Sequence, residues 1–391
     1  MSEESAAPTG SGAQEAASAP TSIPRYFRND ASLARRDPHK QLMASLDRLI
    51  TQYPPHHVPP GGGLYYGPIS VAFLFYTLHN LYPDLKLDDY PLNTWSAAYI
   101  EQAQANIKKF PAPSPSKCGV SNDIMSLLAL YAVTAGDPDT VKDLCDHAAA
   151  MLEPEASNDW LNGRAGYLYL LRFVRRTFKA NKEVTELIED TADEVIENIM
   201  ATSRPWKWHG KAYVGAAHGA IGIITQIVLT DSSWAPKLEA ELGALLSYQY
   251  DSGNFPSSLP PGRDRLVQFC HGAPGVVTSL LSIRSYFPGL HERIDRVIAK
   301  ARECVWERGL LTKEPCLCHG ITGNALALDG KQFDHFMTYT TGHEIKSMAK
   351  DGMLEESDDP SALWSGEAGR VWGWAVADKQ LEKRFLGYND I

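Results

Sequence analysis

Seven times along this chain a Gly-x-x-Gly tetrad, or a close variant of it, is followed by an apolar run of about ten residues. The tetrads begin at Gly67, Gly119, Gly163, Gly219, Gly272, Gly320 and Gly366, at intervals of 44 to 56 residues. A period that regular marks one supersecondary unit repeated. It overrides the two or three unrelated domains that a length of 391 residues would otherwise suggest. Each period has room for two helices of about four turns and their connections.

The stretches between tetrads carry a one-sided helical pattern. Val184, Leu187, Ile188, Ala192, Val195, Ile196 and Ile199 recur at i, i+3, i+4 and i+7 with acidic residues between them. Similar segments run from Leu42 to Ile50, Trp95 to Ile107, Val141 to Leu152, Leu238 to Leu246, Ile294 to Val305 and, more weakly, Phe333 to Met348. After each tetrad the apolar residues lie on all sides, as in Tyr167–Val174 and Val276–Leu281, the mark of a helix buried on every face. Alternating amphipathic and buried helices predict an all-α chain. The expected architecture is an α/α toroid of seven helical hairpins spanning 23–391, with Gly-x-x-Gly at the start of each inner helix. Residues 1–22 are rich in Ala, Ser, Gly, Glu and Pro, and read as a disordered tail.

Net charge of −10, with 37 basic against 47 acidic residues and no Lys/Arg block, argues against a nucleic-acid partner. The apolar runs Val71–Leu78 and Ile221–Leu229 are too short for a membrane span. Six cysteines are too sparse for a disulfide scaffold, and no apolar leader follows Met1, so a cytoplasmic protein is expected, as a monomer.

If the tetrads converge on a common mouth, so do the residues before them: Tyr66, Cys118, Asn162, His218, Cys270-His271, Cys318-His319 and Ser365. Three successive repeats place histidine in one register, and two of them add cysteine one position earlier. A lone Cys-His pair usually means a buried thiol beside a satisfied imidazole. Recurrence in register points instead to a metal, because thiolates and imidazoles are the donors that Zn²⁺ prefers. Spacing alone leaves open which of His218, His271 and His319 is the ligand.

Gly215–Gly222, Phe269–Gly275 and Cys318–Asn324, together with Asn158–Tyr167, resemble the signature segments of the lanthionine synthetase C-like family, in its eukaryotic branch. The resemblance covers all seven repeats. It implies one catalytic Zn²⁺ held by Cys270, Cys318 and His319, with His218 as acid/base histidine and Asp159 as active-site aspartate; His271 is the next candidate proton donor. It also implies glutathione as co-substrate, added to dehydroalanine or dehydrobutyrine residues of proteins or peptides, with phosphate elimination from phosphoserine or phosphothreonine as a further activity. Lys313 matches a lysine of the family's glutathione site, Arg25 a terminal arginine, and Arg265 stands beside the position of an active-site arginine. There are two departures. Leu266 occupies that arginine's register, flanked by Arg265 and Arg263, and Ser365 replaces a common glutamate, with the nearest carboxylate at Glu367.

The residues suit the chemistry, since metal coordination turns a thiol into a thiolate at neutral pH and the carbanion formed by its addition needs a proton at Cα. Zinc prenyltransferases are also toroids, but use a carboxylate ligand. Toroidal glycosidases need paired carboxylates at the mouth, where this chain has Cys, His, Asn and Tyr. A non-catalytic scaffold binding glutathione and zinc is the alternative from a different class.

Overall fold

A computed structural model of the chain describes residues 24–391 except positions 33, 351, 356 and 358, so the tail expected at 1–22 lies outside the described residues. The inner ring consists of α2 (Gly67–Leu81), α4 (Asp123–Ala135), α7 (Arg164–Phe178), α9 (Ala220–Thr230), α11 (Ala273–Ile283), α13 (Ile321–Leu326) and α16 (Glu367–Lys379). Around it lie α1 (Pro38–Gln52), α3 (Leu92–Ala105), α5 (Pro138–Asp146), α8 (Lys182–Ala201), α10 (Ala235–Leu246), α12 (His291–Arg308) and α14 (Gly330–Thr338). Each inner helix packs against the next, and α16 packs back on α2, closing the ring. The fold is an α/α toroid.

Helix pairing follows a rule that local pattern does not reveal. Each inner helix from α2 to α13 packs against the outer helix that follows it, which leaves α1 and α16 over. These two pack against each other, so the seventh hairpin is assembled from segments more than three hundred residues apart.

The outer helices start on side-chain caps where the sequence supplies them. Asp37 accepts from Lys40 N at α1, and Asn181 accepts from Val184 N at α8. On α8, Val184, Ile188, Ala192, Val195, Ile196 and Ile199 are buried, the face that the periodicity marks out. Two expected outer helices are interrupted. The segment Val141–Leu152 divides into α5 and α6 (Ala149–Leu152), and Phe333–Met348 into α14 and α15 (Gly342–Lys350). The second break falls at Thr340 and Thr341, where the Thr340 hydroxyl bonds the Met337 carbonyl. β-branched residues whose hydroxyls bond nearby carbonyls offer the backbone an alternative to continuing the helix.

The segments before the inner helices are stitched together by backbone hydrogen bonds around the axis. Leu64 N donates to Val120 O (2.8 Å), Cys118 N to Asn162 O (2.7 Å), Leu161 N to Ala217 O (3.1 Å), Cys270 N to Cys318 O (3.2 Å), Cys318 N to Trp364 O (2.9 Å) and Trp364 N to Tyr65 O (3.3 Å). Beneath this belt the axis is filled by aromatic side chains. Trp160 and Trp364 are fully buried, with ring centroids 4.8 Å apart, and Phe269 lies 4.8 Å from Trp364. The C-terminal segment turns back to complete this core: Phe385 stacks on Phe269 at 4.6 Å, Tyr388 meets the same ring edge-on, and Gly387 O accepts from Trp160 Nε1 at 2.9 Å.

Candidate metal centre and the adjoining histidine–aspartate pair

Cys270 and Cys318 each sit just before a Gly-x-x-Gly tetrad, and glycine is required there by space. A Cβ on Gly275 would stand 2.0 Å from Phe269 O, and one on Gly323 would stand 1.9 Å from Leu317 O. Only a bare Cα lets the start of the inner helix press against the carbonyl six residues back. That tight loop carries Cys270 in one repeat and Cys318-His319 in the next. The Sγ atoms of Cys270 and Cys318 and a ring nitrogen of His319 all lie within 4.8 Å of one another. Both cysteines are buried and His319 is half-buried.

Neighbouring side chains polarise this cluster. Gln268 Nε2 donates to Cys270 Sγ at 3.0 Å, and the Tyr65 phenol hydrogen-bonds Cys318. The hydrogen bond from Cys318, aided by His271 and His319, holds the Cys270 thiol well below its usual range, whereas burial pushes the Cys318 thiol well above it. The thiol pair thus yields one proton readily and retains the other. His319 is raised to about 9, chiefly by the charge of Cys316. A buried thiolate beside a second thiol and an imidazole is a negative site that a divalent cation would neutralise. Two thiolates and one imidazole suit Zn²⁺, with a coordination position left over. The three residues are those that the resemblance nominates.

His218 occupies the same register two repeats before Cys318-His319. Its Nδ1 lies 3.0 Å from Asp159 Oδ1, and Asp159 is 1% exposed. Asp159 Oδ1 also accepts from Asn162 N (2.8 Å), and Oδ2 accepts from Ser157 Oγ (2.6 Å). With both carboxylate oxygens accepting, the bonded imidazole nitrogen must be the donor, which leaves Nε2 as the free ring nitrogen. The Trp208 ring stacks on His218 at 3.8 Å and 9°. His271 lies outside the thiol–imidazole cluster. Its ring is 6.1 Å from His218 and 5.4 Å from Tyr213, and its buried Nδ1 has no hydrogen-bond partner among the described residues.

The three cationic residues expected at a glutathione site are neighbours. Pro24–Phe27 runs alongside Leu310–Thr312, with Thr312 N donating to Arg25 O at 3.1 Å and Phe27 N to Leu310 O at 2.7 Å. The Arg25 guanidinium is lowered from its usual value by burial and then by the charge of Arg265. Lys313 Nζ forms an ion pair with Glu355 at 3.3 Å, and its charge also acts on His319. Arg265 is exposed. The carboxylate at Glu367 is not at this mouth in a free form. It is 2% exposed and paired with Arg370 and with Arg48 Nη2 (2.9 Å), while Ser365 Oγ bonds Asp359 O.

The sequence profile of the lanthionine synthetase C-like proteins matches residues 59–382. The chain belongs to that family. Among curated relatives, "Glutathione S-transferase LANCL1" of Danio rerio is 31% identical over 242 residues, 55% of this chain and 58% of that one. "LanC-like protein GCL1" of Arabidopsis thaliana is 28% identical over 258 residues, 59% of this chain and 58% of that one. The alignments thus span just under three fifths of each relative's own length. The solved structure of nisin cyclase shares the fold, with a TM-score of 0.54, 14% identity, and coverage of 89% of this chain and 95% of that one.

Several contributors to this LanC-like site carry no sequence signal. Gln268 precedes Cys270 by two residues but is not in tetrad register, and Tyr65 and Trp208 reach the site from other repeats. Tyr65 is adjacent to the in-register Tyr66, which is the nearest thing to a pointer in the sequence.

Proposed function

We propose that this LanC-like protein is a zinc-dependent enzyme that adds the thiol of glutathione to dehydroalanine or dehydrobutyrine residues in proteins or peptides. The observation that carries the reading is the juxtaposition of a Cys270–Cys318–His319 cluster with an Asp159–His218 pair, His271, next in the chain to Cys270, having its ring 6.1 Å from that of His218. Zinc, once bound by those three residues, would supply a Lewis acid that keeps a substrate thiol as thiolate near pH 7. The rest falls to the chain's own side chains. Addition forms a C–S bond at the β-carbon, breaks the C=C π bond, and leaves a carbanion at Cα that must be protonated. His218 is the proposed donor: Asp159 accepts from Nδ1–H and stabilises the imidazolium, whose Nε2 proton is the one passed to Cα. Arg25, Lys313 and Arg265 are the proposed seat of glutathione's carboxylates. Phosphate elimination from phosphoserine or phosphothreonine is a further activity proposed for the same pair, with Asp159 and His218 as base.

Six unpaired cysteines accord with a reducing, cytoplasmic setting, and no described helix is long and apolar enough to cross a membrane. The test is mass spectrometry of a dehydroalanine peptide incubated with glutathione. An adduct of summed mass should appear only with protein present, and should vanish with His218→Ala while zinc content stays whole. Stoichiometric zinc and glutathione binding with no adduct would favour a non-catalytic scaffold.

A further inference from the structure

A cleft of about 390 Å³ opens beside the His218–Asp159 pair, within the size range of specific ligand sites. Its walls belong to the pair. Ser157, on one wall, donates to Asp159, and Trp208, on the other, carries the His218 ring. Both walls are fixed. Arg164 holds the 151–158 loop through the carbonyls of Met151, Glu153 and Ala156 and through Asn158 Oδ1. Opposite, Trp208 and Lys211 exchange both backbone hydrogen bonds (2.9 and 3.0 Å) across His209 and Gly210, whose φ angles are 45° and 76°. Positive φ at both central residues is the tight turn that suits a twisted two-strand ribbon.

This ribbon displays charge of one sign. Lys207, His209 and Lys211 are exposed, and neither lysine has an ion-pair partner among the described residues. Arg204 also lines the cleft, but its charge is engaged by Glu241 at 3.6 Å. Glu155 is the one carboxylate in the lining among the described residues. On a chain of net charge −10, such a local excess of cations is selective for anions.

Resting on the thiol-addition reading, we infer that this cleft is a subsite for the polypeptide substrate, seating residues next to the reacting one and preferring an anionic side chain among them. A dehydroamino acid in a polypeptide has chain on both sides of the reacting carbon, and a cleft walled by the residues that touch His218 and Asp159 gives one of those sides a place. Carboxylate and phosphate side chains share the required chemistry.

The test separates binding from turnover. Fluorescein-labelled decapeptides with alanine at the reacting position, flanked by glutamate, phosphoserine, glutamine or lysine, are titrated with the full-length chain and followed by anisotropy. The anionic peptides should bind about tenfold more tightly than the lysine peptide, a gap that closes with added salt. Lys207→Glu/Lys211→Glu should reverse the order, and the double alanine variant should abolish it; unchanged melting temperature checks that both fold. The ranking of glutamate against phosphoserine identifies which anion the cleft takes. Equal affinity for all four peptides, or an unchanged order in the charge-reversed variant, would overturn the inference. Charge-dependent binding without adduct formation from the matching dehydroalanine peptide would instead sink the thiol-addition reading and leave the cleft standing.

Discussion

Replacing Asp159 by asparagine tests the proposed proton donor at its least obvious point. The carboxylate is almost fully buried and accepts three hydrogen bonds, from His218, Asn162 N and Ser157. Asparagine has the same shape. Its amide oxygen can still receive Asn162 N and the imidazole, and its amide nitrogen can donate to the Ser157 hydroxyl. Geometry therefore survives and charge is lost. A hydrogen bond to a charged group is worth about 1.5–3 kcal/mol against about 1 for a neutral one, while removal of a buried charge relieves desolvation. These opposing terms should keep the change in stability within about 2 kcal/mol. Catalysis has no such compensation, because only the carboxylate stabilises the protonated imidazole that delivers its proton. Losing about 1.5–3 kcal/mol from that state lowers kcat/KM by about 10- to 150-fold. The assay is adduct formation by the wild type, Asp159→Asn, His218→Ala and the double variant, with zinc measured in each. Residues acting as one unit are non-additive, so the double variant should match His218→Ala alone. Wild-type rates for Asp159→Asn, or fully additive losses, would refute the orienting role.

Cys318→Ala should purify with little or no zinc, read by metal analysis, because it removes one of the three proposed ligands and leaves the buried Cys270 thiol behind. Lys313→Ala should raise the glutathione concentration needed for half-maximal rate about tenfold without affecting zinc or the rate with 2-mercaptoethanol, and Glu355→Gln should shift it the opposite way by freeing the lysine. Asp390 is half-buried, and desolvation raises its carboxyl above the usual range; a raised folded value means the folded state loses stability as pH climbs from the unfolded value through the folded one. Asp390→Asn should therefore gain melting temperature relative to wild type as pH is raised from about 4 to 8, and a constant difference would contradict the assignment. Leu46→Ala, on the buried face of α1, should cost about 2–5 kcal/mol by chemical denaturation.

The parts of the molecule legible in the sequence are those set by local spacing. Gly-x-x-Gly tetrads at a near-constant period locate the inner helices, because close approach to a carbonyl six residues back is a local requirement. The Cys270, Cys318 and His319 register follows from the same period. The ligand choice does not: His218, His271 and His319 occupy equivalent positions, and their surroundings diverge, His218 through Asp159 from the preceding repeat and His319 through its place beside the two thiols. Glu367 reads as a substitute for a missing mouth carboxylate, yet Arg48 comes from a distant segment and, with Arg370, draws it into the wall. The pairing of α1 with α16 is invisible for the same reason, since neither helix carries a mark of its distant partner.

That last pairing gives the molecule the mechanics of a hoop. An open array of repeats has two free ends, where unfolding begins cheaply and spreads inward, and its stability is close to a sum of units and their neighbours. Here every inner helix has neighbours on both sides, and no unit serves as a terminal cap. Removing any one contact between repeats converts the hoop to a strip and sacrifices closure at once, so resistance to unfolding is shared rather than graded along the chain. The belt of backbone bonds carrying Cys270, Cys318 and Asn162 lies on the inside of that hoop. Its diameter is set by all seven units together, and the direct bond from Cys270 N to Cys318 O that spaces the thiols is one link of that closed belt.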